Sequence, residues 1–267
     1  DWMPIATLPH NSSVLAGAFS PDSTRIVTGT SNATAHVWRV DGATLLASLQ
    51  GHSAAIRSVA FSPDGKKIAT GSMDRTARIW SADGSGSPIV FNGHTDGVTS
   101  VAFSPDGDQI ASGGVDGQLR IWDVDGEAPG RPPLIGPPGV ITGVAFGPDG
   151  TLATAGTQAG ADGKPVGVVR LWDVAGRRVL AEHTTHSGLL ASVAVSPDGK
   201  RLAGGGEDLH LRLWRVADSK GDAGPKPMVL GNRSSAILSL AFSADGSRIA
   251  AGAMDGSLRQ WDGRAGD

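Results

Sequence analysis

GHTDGVTSVAFSPDGDQIASGGVDGQLRIW, from Gly93 to Trp122, is the stretch that decides the fold. It opens on a Gly-His pair and runs through the alternating apolar segment VTSVAF into the turn SPDG. QIASGG then leads to Asp116, and QLRIW ends on Trp122. His94 precedes Phe103 by 9 residues, and Phe103 precedes Trp122 by 19. The pattern stands 42 residues earlier as GHSAAIRSVAFSPDGKKIATGSMDRTARIW, from Gly51 to Trp80. Self-similarity at a period of roughly 40 residues marks a propeller or solenoid.

Working outward, the unit recurs six times. Its aromatic-turn element reads AFSPDS from Ala18, AFSPDG from Ala60 and Ala102, AFGPDG from Ala145, AVSPDG from Ala194 and AFSADG from Ala241. A strand-ending Trp follows at Trp38, Trp80, Trp122, Trp172, Trp214 and Trp261. Five repeats keep the 19-residue step from Phe (or Val195) to Trp, and the fourth has 26. Three strands per repeat are predicted, with a fourth between one Trp and the next Gly-His, as in LLASL and PIVF. Strands apolar on both faces, such as those holding Ile68, Ala69 and Ile79, need sheets stacked against them. The expected fold class is all-β: a six-bladed β-propeller of four-stranded antiparallel blades, a single domain over residues 1–267. The Ala before each aromatic reads as a point where first strands crowd a central axis.

Composition narrows the function. The 267 residues are 39% hydrophobic with a formal charge of −3, enough apolar chain for a core and without a Lys/Arg block. Nucleic acid is therefore not expected as a partner. There is no apolar run of about 18 residues, so no membrane span is expected. With no Cys, disulfides and thiolate chemistry are excluded, while either redox compartment fits; the cytoplasm is favoured. A chain beginning at Asp1 rather than Met is expected to be a fragment.

The Gly51-His52 and Gly93-His94 pairs, the SPDG turns, Asp74, Asp116 and the Trp-Asp pairs at 122–123, 172–173 and 261–262 resemble the WD40-repeat β-propeller family along essentially the whole chain. Departures are the residues after Trp38, Trp80 and Trp214, and Pro137 and Arg233 where the fourth and sixth repeats would carry His. The resemblance implies a buried structural set in each blade: His52, Thr70, Asp74 and Trp80, then His94, Ser112, Asp116 and Trp122. The first repeat offers His10, Thr28, Asn32 and Trp38. The fifth offers His186, Asp208 and Trp214, with Gly204 in place of the hydroxyl, and the sixth keeps Asp255 and Trp261. The chemistry is coherent, because indole N–H only donates, a hydroxyl accepts and donates on, and His passes the chain to a carboxylate. Removing Asp116 is accordingly expected to cost more stability than removing Asp208.

Other chemistry fits poorly. Repeated His, Asp and Ser/Thr inside strand patterns describe a clamp rather than an exposed nucleophile beside an oxyanion hole. The seven His are dispersed without metal-ligand spacing. Asp123-Val-Asp125-Gly126 lacks the remaining ligands of a calcium loop, and Gly204-Gly205-Gly206 precedes no helix that could cradle phosphate. Arg78, Arg120, Arg170, Arg212 and Arg259, each two before a Trp, read as inter-blade or solvent-facing contacts. No catalytic, metal or cofactor site is assigned.

The expected function is a non-enzymatic protein-protein interaction scaffold or sensor platform, a monomeric domain binding a protein or peptide. Likeness to bacterial chains rich in Ala, Gly and SPDG implies a setting within a larger signalling protein. The alternative is an enzyme or small-ligand binder using the central channel. The resemblance assigns the residue before each turn Asp to the partner side: Ser31, Met73, Val115, Glu207 and Met254. It also makes the fourth repeat's insertion at 157–168 a binding loop, and the charged stretch 217–228 a solvated one. PIATLPH at the start matches a fourth strand, so Ile5–Leu8 is expected to pair with Ser257–Trp261 and close the last blade. The competing view is an excerpt from a larger array with unpaired ends.

Overall fold

A computed structural model describes residues 7–126, 132, 134–135, 139–185, 188–216, 227–232 and 235–264. The chain forms two compact units, Asp1–Pro133 and Leu134–Asp267. The fold class is all-β with six antiparallel propeller-type blades, and no α-helix occurs among the described residues.

In the first unit, β1 (Val14–Phe19), β2 (Arg25–Thr30), β3 (Ala35–Arg39) and β4 (Thr44–Leu49) form one antiparallel sheet in chain order. The second sheet holds β5 (Ile56–Phe61), β6 (Lys67–Ser72), β7 (Thr76–Ser81) and β8 (Ile89–Asn92). The third carries β9 (Val98–Phe103), β10 (Gln109–Gly114) and β11 (Gln118–Asp123). The second unit opens with β12 (Leu134–Ile135). Its first sheet is β13 (Ile141–Phe146), β14 (Leu152–Ala159), β15 (Pro165–Asp173) and β16 (Arg178–Thr184). The next is β17 (Leu190–Val195), β18 (Arg201–Gly206), β19 (His210–Arg215) and β20 (Met228–Asn232). The last holds β21 (Ile237–Phe242), β22 (Arg248–Ala253) and β23 (Leu258–Asp262), three strands among the described residues.

The repeat enforces one register. Ile68 faces Trp80 across β6–β7, and Ile110 faces Trp122 across β10–β11. Within each unit, successive sheets bury one another's faces. Val27, Ala35, Val37 and Leu49 of the first sheet pack with Ile56, Val59, Ile68 and Trp80 of the second. Burying each Val, Leu or Ile among them contributes about 1.5–3 kcal/mol. Ala16 and Ala18 belong to this inter-sheet core. The small residues on β1 thus let the neighbouring sheet approach closely. Hydrogen bonds between neighbouring sheets help fix the stacking: Arg25 Nη2 donates to Gly65 O at 2.7 Å, Val101 N to Ser58 Oγ at 3.0 Å, Thr142 Oγ1 to Leu190 O, and Leu240 N to Ser192 Oγ at 3.2 Å.

Of the expected closing strand at 5–8, residues 5 and 6 lie outside the described residues, and Thr7 and Leu8 belong to no strand. The fourth-repeat insertion is not an irregular loop. It lengthens the β14–β15 hairpin through the pairs Thr157↔Gly167, Gln158↔Val166 and Ala159↔Pro165. Extended-prone Thr and Val continue the ladder, and Asp162-Gly163 turns it, with Lys164 N donating to Asp162 Oδ1 at 3.1 Å. Most of the 217–228 stretch lies outside the described residues.

Candidate functional site

The polar framework inside the sheets holds the candidate surface in place. In the second sheet, His52 stands within 2.7 Å of both Asp74 Oδ2 and Thr70 Oγ1, and Trp80 Nε1 donates to Thr70 Oγ1 at 2.9 Å. In the third, His94 Nδ1 lies 3.0 Å from both Asp116 oxygens, and Nε2 lies 2.8 Å from Ser112 Oγ. Trp122 Nε1 donates to that hydroxyl at 2.7 Å. A carboxylate only accepts, so Nδ1 carries the proton and the Thr or Ser hydroxyl donates to Nε2.

Charges follow from this arrangement. Burial pushes the Asp74 carboxyl up, but hydrogen bonds from Thr76, His52 and Ser53 outweigh it and hold its pKa at about 2. Asp116 is likewise lowered, its burial outweighed by the amides of Gln118 and Thr95 and by His94. Burial pushes His52 and His94 below the ordinary imidazole value despite their carboxylates. Neutral imidazole against ionised carboxylate is the resulting state.

The Gly-His pair has a steric reason as well. Gly51 and Gly93 adopt φ of 144° and 153°, and an added Cβ would lie 2.8 Å from Nη1 of Arg78 or Arg120. These guanidinium groups lie over their own sheet's indoles, at 5.9 Å from Trp80 and 5.6 Å from Trp122. Arg170 bonds Glu182 and Gln158 of its own sheet, and Arg212 bonds Asp208. Those four arginines therefore brace their own blades, which corrects the inter-blade or solvent reading.

The remaining sets differ. His10 Nε2 lies 2.8 Å from Thr28 Oγ1, which accepts from Trp38, but its Nδ1 meets the Leu8 carbonyl while Asn32 pairs with Thr30. Trp172 donates to Thr154 at 2.9 Å. In the fifth sheet His186 lies outside the described residues, and Asp208 takes Arg212 as its partner. Trp214 Nε1 is buried with no acceptor among the described residues. Asp255 accepts from Ser257 N at 2.9 Å on an exposed turn.

A second repeated device escapes a reading centred on His and Trp. In the SPDG turns the Ser hydroxyl donates to the Asp two residues on, at 2.6 Å for Ser62–Asp64 and for Ser196–Asp198. The same oxygen accepts the amide five residues on, at 2.9 Å from Lys67 and from Arg201. The S-x-D spacing was the available signal, since Ser and Asp close such turns by side-chain bonds.

The proposed partner positions occupy one structural place. Ser31 N donates to Ser13 O, Met73 N to Ala55 O and Val115 N to Gly97 O, each at 2.9 Å. These bonds tie the β2–β3, β6–β7 and β10–β11 turns to the loops leading into each sheet. In the second unit, Glu207 N meets Leu189 O and Met254 N meets Ala236 O, also at 2.9 Å. Met73 is 40% exposed and Met254 75%; Ser31 and Glu207 are exposed and Val115 is half-buried.

Six antiparallel blades, the first three carrying a His, hydroxyl and Trp set, define the fold as a β-propeller. The chain belongs to the WD40 family: the family described as WD domain, G-beta repeat matches residues 2–39, 43–81, 87–123, 177–215 and 225–262. The unmatched 124–176 contains the fourth repeat, with its long hairpin. Over 53 residues, 20% of this chain, it is 34% identical to MST50-interacting protein 11 of Pyricularia oryzae, of which 17% is covered. Over the same length it is 34% identical to the small ribosomal subunit protein RACK1 of Neurospora crassa, with 17% of that protein covered. It is 38% identical to RACK1 of Caenorhabditis elegans, with 16% covered. The aligned stretch thus spans about a sixth of each curated relative.

Proposed function

We propose that the chain is a non-enzymatic platform that binds a protein or peptide. The residues proposed to contact the partner are Ser31, Met73 and Val115 on turns of the first unit and, separately, Glu207 and Met254 on turns of the second. The observation that carries the reading is the exposure of the two methionines on turns braced by backbone hydrogen bonds. An exposed apolar side chain on a rigid turn offers a partner apolar area to bury. A pre-ordered turn also loses little entropy on binding. The relatives' names, one an interacting protein and two a ribosomal-subunit protein, fit this class, though the likeness covers a fifth of the chain.

The test is affinity capture from the source cell with the wild-type chain and with Met73→Asp/Met254→Asp as baits. The expected result is loss of the captured proteins at an unchanged melting temperature. Equal capture by the two baits would overturn this surface.

A further inference from the structure

Two cations set the second sheet apart. Four residues before the Phe or Val that ends each first strand, the repeats carry Leu15, Arg57, Thr99, Thr142, Ala191 and Leu238. Five before the Trp, the second repeat alone has a cation, Arg75, where the third and sixth have Gly117 and Gly256. Arg75 holds φ at 73°, close to the 72° of Gly117 and the 79° of Gly256. That conformation suits glycine and strains a side chain. Ala33 and Leu209 share it, at 67° and 65°, but both are half-buried and gain packing there. Arg75 is exposed, and the side chain it keeps at that strained position makes no hydrogen bond or ion pair among the described residues.

Arg57 is also exposed and makes none. Register places the two together. Ile56 pairs with Ser72, and Met73 N bonds Ala55 O, so Arg57, Met73 and Arg75 share one end of the sheet. Met73 lies over Gly97 of the loop leading into the third sheet, where an added Cβ would come within 2.6 Å of its Cε. Asp74 between them is spent inward, its side chain 4% exposed against His52. The exposed carboxylate nearby is Asp96, whose Oδ1 accepts from Gly97 N at 2.6 Å. Two unpaired guanidinium groups thus flank one exposed thioether on a chain of net charge −3.

We infer that this end of the second sheet receives an acidic segment of a partner protein, with carboxylates on Arg57 and Arg75 and an apolar side chain on Met73. Planar guanidinium groups match carboxylates, and the thioether adapts to varied apolar shapes. Two cations are too few to hold a nucleic-acid backbone, whose affinity grows with each phosphate neutralised. The inference rests on the platform reading and adds the partner's chemistry.

The probe is a phage-displayed random peptide library selected on the intact chain alone, each enriched peptide then being measured on the wild type and on R57E/R75E. Enriched peptides are expected to combine Asp or Glu with an apolar residue. A synthetic copy should bind the wild type roughly tenfold or more tightly than R57E/R75E, weaken with salt, and keep most of its affinity for R57K/R75K. Arg75→Gly should weaken binding while raising the melting temperature, a pairing that a purely structural residue would not give. Peptides without acidic residues, or equal binding to R57E/R75E, would overturn the inference. Peptides that ignore R57E/R75E yet are lost on Met73→Asp/Met254→Asp would refute it and leave the platform standing. If nothing enriches, or enriched peptides ignore both variant pairs, inference and platform fall together.

Discussion

Trp80 in the second sheet and Trp214 in the fifth are buried to similar depth, 6% and 2% exposed, yet they end differently. Trp80 hands its indole proton to Thr70. Trp214 turns its benzo edge to Gly204, 3.0 Å from where a Cβ would stand, and stacks on His183 at 5.5 Å. Its N–H is left without an acceptor among the described residues. Such a buried donor costs about 1–3 kcal/mol. Packing alone therefore keeps a Trp at this place in the sheet, and the polar set is an addition that fixes which way the ring faces.

The largest expected effect reverses the order that sequence alone suggests. Asp208 is not an idle remnant, because Arg212, with its side chain 10% exposed, depends on it. Asp208→Ala should cost about 3–5 kcal/mol by leaving a buried guanidinium unpaired. Asp116→Ala, which deprives the neutral His94 of its acceptor, should cost about 1–3 kcal/mol. Urea denaturation of both variants checks the ranking, and a greater loss for Asp116→Ala would break it.

Restoring the missing hydroxyl sharpens the contrast. Gly204→Ser should lower stability by about 1 kcal/mol, because the new Cβ meets the turned indole and Val169. A gain in stability, read by thermal melting, would mean that the ring swings back and takes the hydroxyl.

The smallest effect is a pH dependence carried by the second and third sheets. His52 and His94 have folded values below their ordinary 6.5, so the unfolded chain binds their protons more readily. The stability they contribute is complete above about pH 6.5 and declines as pH falls from there toward the lower folded values. Asp74, held at about 2 against an ordinary 3.8, gives way only between those values. Taking the chain from pH 7 to 5.5 should cost at most about 1.3 kcal/mol per His. The doubly substituted His52→Gln/His94→Gln chain should show a flatter profile, and parallel profiles would count against this assignment.

The sheets were legible in the sequence because their register is tied to turns. SPDG fixes where one strand stops and the next begins, so Phe and Trp fall at constant offsets. Positions inside a repeat could be read for the same reason: Thr70 faces Arg78 across β6–β7, with Trp80 two residues on. What the pattern did not disclose was how a set rearranges when a member changes. Asn32 pairs with Thr30 and Asp208 with Arg212, each taking a partner on its own hairpin. The insertion read as a loop because its Gly and Asp residues are turn formers, and only pairing shows that most of it is strand.

The SPDG turns also bear on chemical ageing. An Asp-Gly bond isomerises when the glycine amide attacks the aspartyl carboxyl group, and it does so fastest with a protonated acid and a free amide. In these turns both reactants are occupied. Gly65 N donates to Ser62 O at 2.9 Å, and Gly199 N to Ser196 O at 2.9 Å. Asp64 and Asp198 are kept ionised, first by the Ser62 and Ser196 hydroxyls and then by the amides of Lys66 and Lys200. The folded blades thus shield dipeptides that would be among the least durable bonds in the unfolded chain.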